Sequence, residues 1–280
     1  MPELPDLLYQ RAYLLPRIRG RTVTGAEVRQ PVVVRMAVPG SLQEAVTGRV
    51  FLDVGQHGPF LVFTLECGPV LVVNQMLAGR LQHQQGERPL PGLAAALALD
   101  DGSSLNLCDT TTMAKLYVLP PGDFSAVPQF DRQGVDVLSP AFTLAVFRAL
   151  VAAHGRRQVR TFINDHTLLS AVGNAYADEI LFAAGIHPKT FVARLTPVEV
   201  DRLHAAILSV LRDGIAAVEA AGKPIHVKVR DHMRVRGRHG KPCPRCGGII
   251  RREGVRGYDV FFCPRCQPAT RKLFLRWDSR

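Results

Sequence analysis

The sequence contains no apolar run of about 18 residues, the length a membrane-spanning helix needs. Its start has neither the basic opening nor the long apolar stretch of a secretory signal. No internal repeat and no low-complexity tract occurs. Cysteine is scarce, six in 280 residues, and four of the six fall in two C-x2-C pairs. Acidic residues are sparse at the end: residues 223–280 hold 4 Asp/Glu against 16 Lys/Arg, whereas the first 222 carry 20 acidic and 19 basic groups. These scarcities argue against a membrane span and a secreted disulfide scaffold. They point to an intracellular, cytoplasmic protein. The net charge of +11 sits in the last fifth of the chain, and a basic block of that kind suits a polyanion.

What is present begins with 47% hydrophobic residues, enough for real cores, and a length that suits about two domains. The paired cysteines are Cys243, Cys246, Cys263 and Cys266, with sixteen residues between the inner two. Two C-x2-C knuckles at this distance predict a four-thiolate zinc site with a β-hairpin between them. Four protein ligands leave the metal no open position, so its role is structural. Cys67 and Cys108 read as plain buried thiols in strand-like segments.

The first 120 or so residues read mostly as β-structure. "PFLVFTLE" (59–66) and "PVLVVN" (69–74) are strands joined at Cys67-Gly68, and "SSLNLCD" and "MAKLYVL" read as a further strand pair. An amphipathic helix is expected over Asp6 to Leu15. From Ser139 the pattern turns helical: one helix with Ser139 as N-cap and a stop at Gly155, a second over "NAYADEILFAAG", and a third from a Thr196/Glu199 capping box to Gly222.

The extreme N-terminus, "MPELPD", carries a chemical possibility. Met1 before a small residue is expected to be removed, which leaves Pro2 as a free secondary amine beside the Glu3 carboxylate. Such a pair can act as nucleophile and proton shuttle.

Together, "MPELPD", "LLSAVGNAYADEILFAAGIHP" (168–188) and "GKPCPRCGGII…FFCPRCQ" (240–267), in this order, resemble the formamidopyrimidine-DNA glycosylase / endonuclease VIII family. The resemblance implies an α+β multi-domain fold: an N-terminal β-sandwich (1–122), a helix-two-turn-helix domain (135–222) and a zinc-finger hairpin (236–270). It implies a monomer acting on double-stranded DNA with a damaged base or abasic site, and no membrane partner. Pro2 would attack the sugar C1′, displace the base and form an iminium that permits strand cleavage by elimination. Glu3 would shuttle protons, Asp6 would organise the N-terminus, and Glu179 would be an active-site carboxylate. Asn174, at a helix start, would bind a phosphate. Leu77 in "NQMLAGRL" would fill the void left by the extruded base; a core leucine in a tight turn is the other reading.

Departures from the family pattern are also legible. Pro59 stands where the family usually has a Lys, with His57 as a nearby substitute. Thr112 and Met113 stand where an Arg-Phe pair is usual. Met113 can still wedge, but Thr112 cannot read the orphaned base bidentately. The stretch between the last helix and the zinc block is short, which disfavours 8-oxoguanine as the main target. The zinc hairpin's DNA-binding Arg has no clean counterpart: strict counting lands on Tyr258, and Arg256 lies two residues earlier. Lys228, Arg230, Arg234, Arg236 and Arg238 alternate as though on one strand face, a track for phosphates. His226, His232 and His239 read as surface residues. Two other classes fit parts of the chain: a DNA-binding relative that has lost the chemistry, and a zinc-ribbon nucleic-acid adaptor.

Overall fold

A computed structural model of the chain describes residues 1–86, 88–255 and 258–269. These fall into two compact units. The first is Met1–Arg132 with Val218–Val229; the second is Gln133–Ala217 with the described residues from Arg230 onward.

The first unit opens with α1 (Leu4–Ile18), whose Leu4, Leu7, Leu14 and Ile18 form one buried stripe, as a 3.6-residue period requires. Then follow β1 (Val23–Val28), β2 (Val34–Met36), α2 (Leu42–Val46), β3 (Phe51–His57), β4 (Phe60–Leu65), β5 (Val70–Asn74), β6 (Arg80–Gln85), β7 (Leu93–Leu99), β8 (Ser103–Cys108) and β9 (Lys115–Leu119). They make a four-stranded sheet, β1-β7-β8-β6, and a five-stranded sheet, β2-β9-β5-β4-β3. β4 and β5 are nearly continuous apolar runs because both faces of their sheet are covered. Leu61, Phe63, Leu71 and Val73 enter the core of the sandwich, while Phe60, Val70 and Val72 pack with Phe130 in a second cluster. β8 and β9 do not form the hairpin their sequence suggests: β8 pairs with β6 and β7, and β9 with β5 and β2. The pattern of alternation marks strands but not partners. Cys108 is buried as expected, but Cys67 is exposed. It occupies the β4–β5 turn at φ 46, where a side chain faces outward rather than into a sheet.

The second unit holds β10 (Val135–Asp136), α3 (Leu144–Ala153), α4 (Val159–Ile163), β11 (Leu169–Ser170), α5 (Asn174–Ala184), α6 (Pro197–Ala221, whose last turn joins the first unit), β12 (Arg251–Val255) and β13 (Tyr258–Phe262). The first helix starts later than Ser139: Thr143 is its N-cap, accepting from Val146 N–H. Ser139 instead closes a turn on the Asp136 carbonyl. α6 begins as expected, with Thr196 and Glu199 bonding reciprocally. β12 and β13 form the antiparallel hairpin between the cysteine knuckles. Residues 228–238 are turns rather than a strand, so the basic residues there do not share one strand face. The segment serves instead as a wrapping for α5, through bonds described below.

Candidate functional site

Pro2 and Glu3 are buried at the entrance to α1. Asp6 reaches back one turn to accept the Glu3 N–H at 2.9 Å, which fixes the start of the helix. The amine of Met1, the residue before the Pro2–Glu3 pair, donates to the Leu77 carbonyl at 3.3 Å. Lys228 donates its ammonium to that same oxygen, also at 3.3 Å. Burial first, and Lys228 second, push the amine down from 8.0 to about 5; Glu3 and Asp6 pull the other way.

Leu77 is 61% exposed, so it is no core leucine. Its turn is held from below. Asn74 Oδ1 accepts the Met76 N–H, and Gly79 N–H bonds the Gln75 carbonyl. A Cβ on Gly79 would lie 2.3 Å from that carbonyl oxygen, so only glycine closes the turn. Beneath it the buried amides of Gln75 and Gln10 bond each other, and Gln10 also donates to the Ile225 carbonyl at 3.0 Å. This pair ties α1, the Leu77 turn and the segment bearing Lys228 together. Gln10 sits in the apolar stripe of α1, an interruption that marks it in the sequence; Gln75 carries no such signal.

Met113, 39% exposed, rides a turn organised by the buried Asp109. That carboxylate accepts from Thr111 N–H, Thr111 Oγ1 and Ala114 N–H, each at 2.7 Å. Burial raises the Asp109 pKa, but these donors outweigh it and the net shift is downward. Thr112 is also in this turn, at φ 58. Pro59 is buried at the β3–β4 turn. His57 does not stand in for a lysine there: its Nε2 donates to the Phe130 carbonyl at 2.8 Å and its ring packs on Phe130. Arg256 lies outside the described residues, as does the side chain of Tyr258.

In the second unit, Glu179 is buried on α5, and its carboxylate accepts three backbone N–H groups, from Arg234, Val235 and Arg236, each at 2.8 Å. Its oxygens are thereby committed to holding this turn segment. One residue earlier, Asp178 is fully buried between two guanidiniums. Arg160 Nε reaches Oδ1 at 3.1 Å and Arg236 Nη1 reaches Oδ2 at 2.8 Å. Burial pushes the Asp178 pKa up, with both arginines opposing it. Oδ2 also accepts the Phe261 N–H of β13 at 3.2 Å. Arg236 is therefore an internal partner rather than part of an open basic track. Neither Arg160 nor Asp178 stands out in the sequence, because a charged side chain on a helix reads as a solvated face until burial is known.

Asn174 opens α5. Its Oδ1 accepts from Arg160 Nη2 at 2.9 Å and from Asn164 Nδ2 at 2.8 Å. Two donors on the oxygen fix the amide's orientation and leave Nδ2 as the outward donor. Tyr176 is buried and its hydroxyl bonds His232 at 3.1 Å, so His232 is not the plain surface residue it resembles. A Cβ on Gly214 would meet the Tyr176 ring at 2.4 Å, which explains a glycine inside α6. The Arg230 guanidinium lies 5.6 Å from the Tyr176 ring centroid.

The sulfurs of Cys243, Cys246, Cys263 and Cys266 lie within 4.8 Å of one another. The Cys243–Cys266 and Cys246–Cys263 pairs are 3.8 and 3.5 Å apart, close to the roughly 3.8 Å of a tetrahedron with 2.3 Å Zn–S bonds. In the bare thiol cluster the Gly248 N–H leads in drawing Cys246 down to about 7. Burial and the neighbouring thiols push Cys266 up to about 12. A dication resolves that conflict, since all four can then be thiolates.

Comparison with known proteins agrees with this geometry. Residues 1–116 match the formamidopyrimidine-DNA glycosylase N-terminal domain, 133–225 the H2TH domain of the same enzymes, and 240–269 the zinc finger found in FPG and IleRS. The formamidopyrimidine-DNA glycosylase of Symbiobacterium thermophilum is 35% identical, over 96% of this chain and 90% of that one. The Thermus thermophilus enzyme is 34% identical over 95% and 98%. The crystal structure of MutM (Fpg) from Thermus thermophilus superposes with a TM-score of 0.82 at 32% identity, covering 95% of this chain and 98% of that one. Lactococcus lactis Fpg in complex with DNA containing an abasic site shares the fold, with a TM-score of 0.85 at 22% identity over 96% and 100%. The four cysteines are thus a structural zinc site, closed by protein ligands.

Proposed function

This chain belongs to the formamidopyrimidine-DNA glycosylase family of DNA-repair enzymes, and from that premise we propose that it is a bifunctional glycosylase and abasic-site lyase working through Pro2. The observation that carries the reading is the buried Pro2–Glu3 pair at the entrance to α1, where Asp6 fixes the Glu3 N–H. An amine that is neutral at working pH is a nucleophile.

With Met1 removed, the Pro2 nitrogen bonds C1′ of the damaged nucleotide as the bond from C1′ to the base breaks, and the proton on the resulting ammonium passes to the departing base anion, which restores the nitrogen lone pair. The C1′–O4′ bond then opens, Glu3 delivers a proton to O4′, and the nitrogen lone pair forms the iminium. Loss of a C2′ proton and departure of the 3′ phosphate cut the strand. Water releases the enzyme. Glu179 acts by holding the 234–236 turn, and Asn174 donates its Nδ2 to a phosphate at the start of α5, supported there by the helix dipole. Leu77 and Met113 enter the gap left by the extruded nucleotide. Arg230 and its basic neighbours neutralise phosphates. The protein acts as a monomer on duplex DNA.

Lactococcus lactis Fpg has been crystallised with Fapy-dG-containing DNA, and a ring-opened purine is the substrate class we assign here. The test is a duplex bearing one formamidopyrimidine. Base release together with strand scission is the expected result. Tight binding with neither product would replace the enzyme by a DNA-binding relative.

A further inference from the structure

We infer that Lys115 and Arg35 form a phosphate-binding site on the outer face of the β-sandwich, at the root of the two turns that carry Leu77 and Met113, and that its ligand is a backbone phosphate beside the opened base step. The inference rests on the proposed entry of those two side chains into the duplex. In the five-stranded sheet Asn74, the last residue of β5, pairs with Lys115, the first of β9. The Leu77 turn starts from one strand end and the Met113 turn runs into the other, so both leave the sheet side by side. On the other side of β9, Arg35 of β2 pairs with Tyr117. Lys115 lies two residues before Tyr117 and so shares its face. That is the outer face: Tyr117 packs with Val72 and Phe130, whereas Leu116 and Val118 enter the core of the sandwich.

Lys115 is half-buried and Arg35 is exposed. The Lys115 ammonium has three protons. Two go to the carbonyls of Thr112, at 3.1 Å, and Val32, at 3.3 Å, which leaves one for a ligand. The Arg35 guanidinium uses Nη1 on the Val34 carbonyl at 3.1 Å and keeps the donors of its other nitrogens. Among the described residues no carboxylate makes an ion pair with either side chain. Burial, and then Arg35, lower the Lys115 pKa, and Asp109 offsets them only in part. Two like charges held on one sheet face without a counter-charge repel, and an anion between them removes that cost. A phosphate accepts from both, from Lys as a point charge and from Arg through its planar fork.

The test neutralises one phosphate at a time. The full-length protein is titrated with abasic-site duplexes that carry a single methylphosphonate at each phosphate flanking the site, on either strand. One position should weaken wild-type binding about tenfold. Lys115→Gln, and to a lesser degree Arg35→Gln, should lose that sensitivity, and Lys115→Arg, which keeps the charge, should retain it. The slope of log K against log salt should also become shallower by about 0.9 in Lys115→Gln, the value for one phosphate contact. A lysine that only holds the Thr112 carbonyl gives a different result: Lys115→Gln then weakens every duplex alike and keeps the wild-type methylphosphonate pattern and salt slope, which overturns the inference alone. Wild-type protein that does not bind the abasic duplex overturns both the inference and the reading it rests on.

Discussion

Replacing Glu3 by Gln is expected to slow base release by about 10²- to 10⁴-fold, the range for loss of a positioned general acid or base. The substitution is close to isosteric. The Glu3 N–H still bonds Asp6, so α1 should start where it does now and the 7% exposure of the site should persist. Affinity for abasic duplex should therefore be unchanged, and the loss should appear in the single-turnover rate rather than in binding. A near-wild-type rate would mean that water or another group supplies the proton to O4′, and would remove Glu3 from the mechanism.

The second large effect is on stability. Asp178→Ala leaves the Arg160 guanidinium, whose side chain is 4% exposed, with its main counter-charge gone. Breaking a buried pair on one side typically costs about 3–5 kcal/mol. Asp178 also receives Arg236 and the Phe261 N–H, so its loss loosens α5 from β13. Amide hydrogen exchange should show it directly: peptides from α5 and β13 lose protection while those from the β-sandwich keep theirs. Asp178→Asn, which retains an acceptor, should lose less. Equal protection in Asp178→Ala and wild type would mean that burial of this cluster contributes nothing to holding the hairpin.

How much of this was legible in the sequence depends on how far each feature reaches. The cysteine knuckles were legible because tetrahedral thiolate chemistry fixes a spacing. The Thr196/Glu199 cap was legible because its bonds span three residues. α3 starts at Thr143 rather than at Ser139: Ser-Pro is also a good cap signature, and only the bond to the Val146 N–H decides between them. Strand partners were not legible: β8 and β9 are neighbours in sequence yet lie in different sheets. The cysteine cluster was legible, and the proposed site takes Pro2, Glu3 and Leu77 from the sequence. What supports it was not. Lys228 meets the Leu77 carbonyl across 151 residues, and Arg236 meets Asp178 across 58. An alternating basic stretch suggested a strand, whereas Glu179 collects three successive N–H groups from it and so bends it into a turn.

The most direct test of the account is borohydride trapping with the adduct mapped. Protein whose N-terminus has been verified as Pro2 is incubated with a duplex containing a single abasic site, reduced, digested and analysed by mass spectrometry. The account predicts one covalent DNA adduct, on the Pro2 nitrogen, and none when that amine is blocked. An adduct on a lysine, or no adduct from a protein with a free Pro2 amine, would contradict it.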